Sequence, residues 1–271
     1  MSDYNKPIIV ISKCLGFDNC KYDGSIENNE FIEKLKKYVK VIPICPEIEC
    51  GLQIHHSKLR IVENNNKEEL LIPNEDLNLT QEMHDFSNKF LNKLANVDGF
   101  ILKSKSPICA LKDAKVYDTL EKGCAIKREH GFFTKEIIKH YPYIPLEDEH
   151  RLNNFKIREH FLSRIFILSD FRLIKKSFNF ESLKSFHLKN TLLFLSYSQK
   201  YSKLLDNLIY SDKIEDKLKR ILNELTRFMY DNSNEIITCS STKSKEVKEI
   251  EKAIEKLKVQ EKRLVDLYLS S

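Results

Sequence analysis

Hydrophobic residues in the first half of the chain form three short runs typical of β-strands, at residues 7–11, 38–43 and 97–102. Apolar residues at helical spacing precede the second run, over residues 31–38, and the third run, over residues 83–94. Strands that alternate with helices in this way predict βαβ units and a parallel sheet. We therefore expect an α/β N-terminal domain with a parallel, Rossmann-like sheet.

The pattern changes to helices alone from about residue 154. Apolar residues recur at intervals of three and four along residues 155–166, 192–209, 214–228 and 247–267, which predicts an all-α C-terminal domain. Pro142 and Pro145 restrict the residues before them to extended conformations, so the boundary is expected near residue 150. The predicted domains are residues 1–150 and 151–271.

A cysteine follows each of the three predicted strands within a few residues: Cys14, Cys45 and Cys109. The carboxyl ends of parallel strands share one edge of the sheet, where ligands bind. These cysteines are therefore expected to meet in space. Three thiolates suit a [4Fe-4S] cluster that keeps one iron without a cysteine ligand. Three thiolates also suit Zn²⁺ with a fourth ligand. A third alternative is that these cysteines are buried or reactive thiols that bind no metal, and the spacing leaves all three alternatives open.

The remaining cysteines fit this convergence less well. Cys20 and Cys50 come soon after Cys14 and Cys45 in sequence, so they are expected near the same sheet edge. Cys124 and Cys239 follow no predicted strand and are expected to be structural. Seven cysteines, an odd number, do not form a disulfide framework in a chain of this length. With no basic stretch leading into an apolar segment near Met1, and no apolar run of membrane-spanning length, we expect a cytoplasmic protein without a membrane partner.

Charge divides unevenly along the chain. Residues 1–150 carry 21 Lys and Arg against 24 Asp and Glu, and the remaining residues carry 24 basic and 16 acidic side chains, a net charge of +8. A basic half beside an acidic half favours a polyanion such as nucleic acid as a partner of the second half. A lysine-rich, solvated helical surface is the simpler interpretation of the same numbers.

Four segments of the sequence resemble motifs of one family, the TudS/RudS thiouracil and thiouridine desulfidases. Residues 12–24 resemble S-x-C-L-G-F…C-R-Y-x-G, and residues 45–52 resemble C-P-E…G-L. Residues 102–109 resemble L-K-S-R-S-P-S-C, and residues 145–152 resemble P-x-E-x-E-G-R-L. The helical second half is most similar to the two-domain, RudS-like members of the family.

The resemblance implies a chemistry for the clustered cysteines. Cys14, Cys45 and Cys109 would hold a [4Fe-4S] cluster whose open iron polarises a thiocarbonyl sulfur, and water would replace that sulfur without net redox change. Motif position makes Glu47 the candidate proton-transfer residue and Ser106 a candidate for positioning or proton relay. The simpler alternatives are a helix-capping carboxylate for Glu47 and a turn residue for Ser106. Residues that would support the cluster or contact the substrate are Cys20, Lys21, Tyr22 and Lys103.

Several positions depart from the family pattern. Lys21 stands where the family has Arg, which keeps the charge but loses the planar fork. His55 and His56 stand near an expected Pro-Arg. Ala110 replaces the Gly that follows the third cysteine, where a β-carbon would crowd the site unless the local φ is negative. In the C-terminal half, Asn190 and Tyr197 stand where Lys and His are expected.

The sequence therefore predicts an enzyme, a [4Fe-4S]-dependent desulfidase acting on 4-thiouridine in tRNA, with no obligate protein partner. Its second domain would hold RNA through phosphates, and the candidate contacts are Arg151, Arg158, Arg164 and Arg172. Two rival hypotheses remain. One is a desulfidase of free thiouracil or thiouridine nucleotides, and the other is a metal-bearing RNA-binding module without catalysis.

Overall fold

The structure, a computed structural model, describes residues 5–54, 56–65, 67–73, 75, 77–121, 123–176, 180–197, 202–203 and 206. The chain divides into two compact units, the first ending at Ser169 and the second beginning at Asp170. No helix in these described ranges has the length and apolarity needed to cross a membrane.

The described residues include nine strands and six α-helices. The strands are β1 (Ile8–Ser12), β2 (Lys40–Ile44), β3 (Arg60–Asn64), β4 (Lys67–Ile72), β5 (Leu77–Asn78), β6 (Gly99–Leu102), β7 (Ala114–Tyr117), β8 (Lys127–Glu129) and β9 (Leu146–Asp148). The helices are α1 (Glu30–Leu35), α2 (Pro46–Glu49), α3 (Thr80–Lys93), α4 (Phe132–His140), α5 (Phe155–Lys176) and α6 (Phe180–Tyr197). A short 3-10 helix covers Arg151–Asn153.

The predicted parallel sheet is confirmed. Its four strands lie in the order β2-β1-β6-β9, and each neighbouring pair is parallel. The three predicted strands correspond to β1, β2 and β6, and the two predicted helices correspond to α1 and α3. The fourth strand, β9, lies in the proline-containing segment that the sequence indicated only as a domain boundary. Its carboxyl end therefore joins the same edge as the ends of β1, β2 and β6.

Both faces of the two central strands, β1 and β6, are buried, as expected for strands covered on two sides. Val10 and Phe100 point into a core shared with β3, β4, α3 and α4. Ile9 and Ile101 point to the opposite face, where residues of α1 and of the first half of α5 cover them. Alternate residues of each strand thus enter different cores, because successive side chains of a strand point to opposite faces.

A second sheet of five strands lies in the same unit, and the sequence analysis did not predict it. Its order is β5-β4-β3-β7-β8, and it is mixed, with β3 parallel to β7 and the other pairs antiparallel. Asn65, in the turn between β3 and β4, has a φ of 49°. These strands carry many charged residues, so their apolar pattern is too weak to distinguish them from loops.

The first unit extends past residue 150 into α5. Phe161 and Ile165 are buried among β1, α1 and β6, which explains why the first part of α5 belongs with the parallel sheet. Beyond Asp170, the described part of the second unit is helical. The helix predicted at 155–166 is confirmed by α5, while α6 overlaps the predicted 192–209 helix only at its end. The helices predicted at 214–228 and 247–267 lie outside the described residues.

Candidate active site at the carboxyl edge of the parallel sheet

Four cysteines lie together at the carboxyl edge of the parallel sheet. Cys14 is in the loop after β1, Cys45 lies between β2 and α2 as the residue that precedes the helix, and Cys109 is in the loop after β6. The Cys20 thiol lies within hydrogen-bonding reach of the thiols of Cys14 and Cys45, and Cys45 Sγ is 3.6 Å from the Cys20 carbonyl oxygen. Cys109 interacts electrostatically with Cys45. The structure thus brings together the three predicted ligands and adds Cys20.

Three of these thiols are held in their neutral form. The hydrogen bond with Cys14, together with burial, raises the pKa of Cys20 to about 12. The hydrogen bond with Cys20, and then burial, raises the pKa of Cys45. Burial is the main cause of the raised pKa of Cys109. Metal binding deprotonates such thiols, so a positively charged iron or metal centre must displace their protons.

The donor set fits an iron–sulfur cluster. Thiolates are the usual cluster ligands, and the convergent donors here are cysteines from the ends of three neighbouring strands. Among the described residues, no three His, Cys, Asp or Glu side chains are arranged to hold one metal ion. A single ion draws its ligands to within about 2.0–2.3 Å, whereas each thiolate of a cluster binds a different iron. Cluster ligands therefore stand further apart than the ligands of one ion.

Glu47 lies two residues beyond Cys45, on α2, and pairs with a histidine. Its Oε2 is 3.2 Å from Nε2 of His56, and the other ring nitrogen of His56 is 2.8 Å from the Ser57 carbonyl oxygen. The hydrogen bond with Glu47 raises the pKa of His56 against the opposing effect of burial. Glu47 also interacts with the Cys109 thiol. The predicted proton-transfer carboxylate is thus beside the cysteines, and His56 is its partner.

Two serine hydroxyls surround Cys109. Ser106 Oγ accepts hydrogen bonds from the backbone N–H groups of Ile108 and Cys109, each at 3.1 Å. Ser12, at the end of β1, accepts from the Lys103 N–H at 3.0 Å. Hydrogen bonds from both hydroxyls stabilise the thiolate of Cys109. Ser106 therefore shapes the Cys109 loop as a turn residue while its hydroxyl hydrogen faces the site. Ser12 was not among the predicted site residues, although it is the first residue of the S-x-C motif and the motif was the signal that could have found it.

The amino end of α4 supports the Cys109 loop. The N–H groups of Gly131, Phe132 and Phe133 donate to carbonyl oxygens at residues 110, 107 and 108, at 2.9–3.1 Å. Thr134 Oγ1 donates to the Cys109 carbonyl at 2.9 Å. The free N–H groups of a helix terminus thus find their partners in this loop. Ala110 does not have a positive φ, so its β-carbon is accommodated, and the crowding considered from the sequence does not arise.

Replacing Gly131 with alanine is expected to destabilise this arrangement. A β-carbon there would lie 2.4 Å from the carbonyl carbon and oxygen of Ile108 and 2.8 Å from the Cys109 nitrogen. Since those atoms are backbone, the Cys109 loop must shift, at a cost of about 1–3 kcal/mol. Thermal unfolding should show a lower Tm, and cluster occupancy should fall. Gly123→Ala is the matched control, because its nearest neighbours are 3.9 Å away. An unchanged Tm for Gly131→Ala would contradict the close packing.

A network of alternating charges links three loops at this edge. Lys103 contacts Glu149 and lies 3.3 Å from Glu27, which in turn lies 3.2 Å from Lys21. Glu149 is buried, accepts from the Ser104 N–H at 2.8 Å, and also accepts from the Ser104 hydroxyl. Burial alone would lower the pKa of Lys103, but the hydrogen bond and charge of Glu149, with Glu27, raise it. Lys21 and Lys103 are therefore engaged in ion pairs with other residues of the protein. The sequence analysis did not identify Glu27, which pairs with both lysines.

Tyr22, Cys50 and Cys124 contact residues other than the clustered cysteines or are exposed. The Lys58 ammonium lies over the Tyr22 ring, 4.9 Å from its centroid, so Tyr22 has a cationic neighbour in the loop that follows Cys20. Cys50 Sγ approaches the Glu82 carbonyl and the Met83 sulfur, at 3.7 and 3.9 Å, so it packs against α3. Cys124 is exposed, while Cys239 and His55 lie outside the described residues.

The arginines proposed to contact RNA differ in their availability. Arg164 is 6% exposed and donates to the Tyr143 carbonyl at 2.9 Å, so it is structural and does not join an RNA surface. Arg151 forms a two-point ion pair with Glu147, at 2.7 and 3.3 Å. The Arg158 guanidinium lies over the Phe31 and Phe155 rings, at 5.4 and 5.9 Å. Phe155 is 61% exposed, so this group can reach solvent.

Comparisons with known proteins identify the family to which this chain belongs. A family model described as 2-thiouracil desulfurase matches residues 9–149, more than half of the chain. The matched region contains Cys14, Cys45, Cys109, Glu47 and Ser106. Among solved structures, the [4Fe-4S]-dependent thiouracil desulfidase TudS is similar, with 20% sequence identity and a TM-score of 0.45. The similarity covers 55% of this chain and 94% of that one. No curated protein sequence matches significantly.

Proposed function

Because this chain belongs to the 2-thiouracil desulfurase family, which makes it a desulfidase, we propose that it converts the C4 thiocarbonyl of a 4-thiouracil base to a carbonyl. Water supplies the oxygen, and the sulfur leaves as hydrogen sulfide, so no electrons are gained or lost. The convergence of cysteines from three strand ends beside Glu47 is the observation that carries this proposal.

Cys14, Cys45 and Cys109 are the residues that would hold a [4Fe-4S] cluster. When bound, the cluster supplies an iron without a cysteine ligand, a Lewis acid for the thiocarbonyl sulfur. Cys20 contacts two of the three thiols from a buried position, and we assign it a supporting role. The Ser12 hydroxyl and the loop contacts of α4 orient Cys109.

Glu47 is the proposed base for water. Its carboxylate lies next to the cysteines and is only partly exposed, so it can take a proton from a water molecule beside the bound thiouracil ring. Ser106 is the proposed relay, because its oxygen accepts from two backbone N–H groups and its hydroxyl lies beside the Cys109 thiol. Lys103, in its network with Glu149 and Glu27, would help place the loop that carries Ser106.

The test is sulfide release from 4-thiouracil by protein purified without oxygen. We expect stoichiometric uracil and sulfide, and incubation in ¹⁸O-labelled water should place the label at C4 of the product. A protein with a full cluster that releases no sulfide from any thiouracil compound would support the rival, a metal-bearing RNA-binding module.

We further propose 4-thiouridine in tRNA as the substrate and the reducing cytoplasm as the compartment. Residues 151–271 carry a net charge of +8, which suits phosphate binding, and the Arg158 group with its exposed Phe155 offers a surface for an unpaired base. The base must leave its stack to reach a recessed cluster. Free thiouracil is the competing substrate, and the internal pairing of Arg151 and the burial of Arg164 favour it.

Salt dependence should separate these substrates. A surface that neutralises about three phosphates is expected to lose about 40-fold in tRNA affinity between about 50 and 200 mM salt, because counterions are released on binding. Turnover of free 4-thiouracil should hardly change over the same range and serves as the control. Binding of thiolated tRNA can be followed by fluorescence anisotropy. A kcat/KM for free 4-thiouracil equal to or above that for tRNA would assign the enzyme to the free base.

A further inference from the structure

The partner of Glu47 is held in one orientation. His56 Nδ1 lies 2.8 Å from the Ser57 carbonyl oxygen, and a carbonyl only accepts hydrogen bonds. Nδ1 therefore carries a hydrogen, and the ring is turned so that Nε2 faces Glu47 Oε2 at 3.2 Å. A carboxylate oxygen also only accepts, so Nε2 carries a hydrogen as well and donates it to Glu47. The His56 side chain is 8% exposed, so packing as well as hydrogen bonding restricts the ring.

The Glu47 side chain depends on this contact for its direction. Glu47 lies on a helix of four residues, and its carboxylate follows three rotatable bonds. Among the described residues, His56 is the side chain that hydrogen-bonds this carboxylate. With Oε2 held by His56, the other carboxylate oxygen, Oε1, is available for water or substrate. A carboxylate that must meet a reacting atom works best when a supporting hydrogen bond locks its rotamer.

We propose that His56 is a positioning residue for the desulfidase reaction, and that it acts by aiming the Glu47 carboxylate at the cysteine-lined site. The inference rests on the proposed function of Glu47. His56 lies in the segment between α2 and β3, after Cys45 and Cys50 in sequence, and it stands near a position where the resembling family has Pro-Arg. The role is therefore one that this chain fills with its own side chain.

Three variants and a control test this role. His56→Phe keeps a ring but removes the donor, while His56→Gln keeps an N–H at similar reach. His56→Phe combined with Glu47→Gln shows whether the two residues act together. His84→Phe is the control, because His84 forms a comparable pair with Glu136, 3.0 Å apart, on α3 and α4. For each protein we would measure kcat and KM for 4-thiouracil, iron and sulfide per chain, and Tm.

His56→Phe is expected to lower kcat about 10- to 100-fold, with KM nearly unchanged and iron content at the wild-type level. His56→Gln should recover most of the rate, and His84→Phe should keep it. In the Glu47→Gln background, His56→Phe should cost nothing more, because there is no base left to aim.

A wild-type rate for His56→Phe would refute the inference. An equal loss with and without Glu47, or an inactive His56→Gln with a lowered Tm, would also refute it and assign His56 a structural role. These results differ from failure of the proposed function. In that case the wild-type protein, with its cluster loaded, would release no sulfide, and the inference would fall together with the function.

Discussion

Cys45→Ala is expected to abolish both the cluster and sulfide release. Cys45 is 8% exposed and lies between the last residue of β2 and the first residue of α2, so two elements at the sheet edge fix the position of its sulfur. Protein purified without oxygen should contain about four irons and about four sulfides per chain, and the variant should contain less than about one of each. Iron, zinc and acid-labile sulfide are the quantities to measure.

Cys124→Ala is the matched control for this experiment. Cys124 is exposed and lies away from the strand ends that carry the ligands, so its loss should leave iron content and rate unchanged. Circular dichroism should show that both variants keep the secondary structure of the wild type. Full iron content in Cys45→Ala would remove Cys45 from the ligand set. One zinc per chain in the wild-type protein, with no iron, would contradict the cluster and the proposed mechanism together.

Glu47→Gln is expected to lower kcat about 10²- to 10⁴-fold, the usual contribution of a positioned acid or base. Glutamine has nearly the same shape and keeps an acceptor for His56, but it cannot take a proton from water. Iron content should stay at the wild-type level, because Glu47 is not among the proposed ligands. Rates of sulfide release from 4-thiouracil, corrected for cluster occupancy, provide the measurement.

The neighbouring carboxylate provides the control for Glu47. Glu49 is exposed on the same short helix, so Glu49→Gln makes the same chemical change on the outside of α2. It should leave kcat within about twofold of the wild type. If Glu47→Gln kept the wild-type rate, Glu47 would be no more than a residue that ends the turn after β2. If it lost iron as well as rate, its role would be in holding the cluster rather than in proton transfer.

The α/β architecture was predictable because its strands are strongly apolar. Residues 8–12 and 99–102 form nearly continuous apolar runs, as buried parallel strands do. The second sheet was not predictable in the same way. β3 and β4 mix charged and apolar residues, and β3 also pairs with β7, which is distant in sequence. β9 was not predicted because Pro142 and Pro145 directly before it indicated a domain boundary, although this strand is the fourth in the parallel sheet and its end places Glu149 beside Lys103.

The sequence by itself determined which residues meet at the sheet edge. Cys14, Cys45 and Cys109 each follow an apolar strand, and parallel strands have their carboxyl ends on one side, so local pattern and topology together bring the cysteines near each other. The family motifs placed Glu47 and Ser106 in the same region. These conclusions need no knowledge of side-chain packing.

The tertiary structure alone decided how the side chains are paired. Cys20 bridges Cys14 and Cys45, His56 orients Glu47, and Arg164 is buried against Tyr143. Each of these pairs forms only when side chains from separate parts of the chain come within about 3 Å of each other. The pattern of apolar and polar residues along the sequence does not indicate distances of that size. Sequence pattern selects the edge at which the chemistry takes place, and packing selects the partners that make it work.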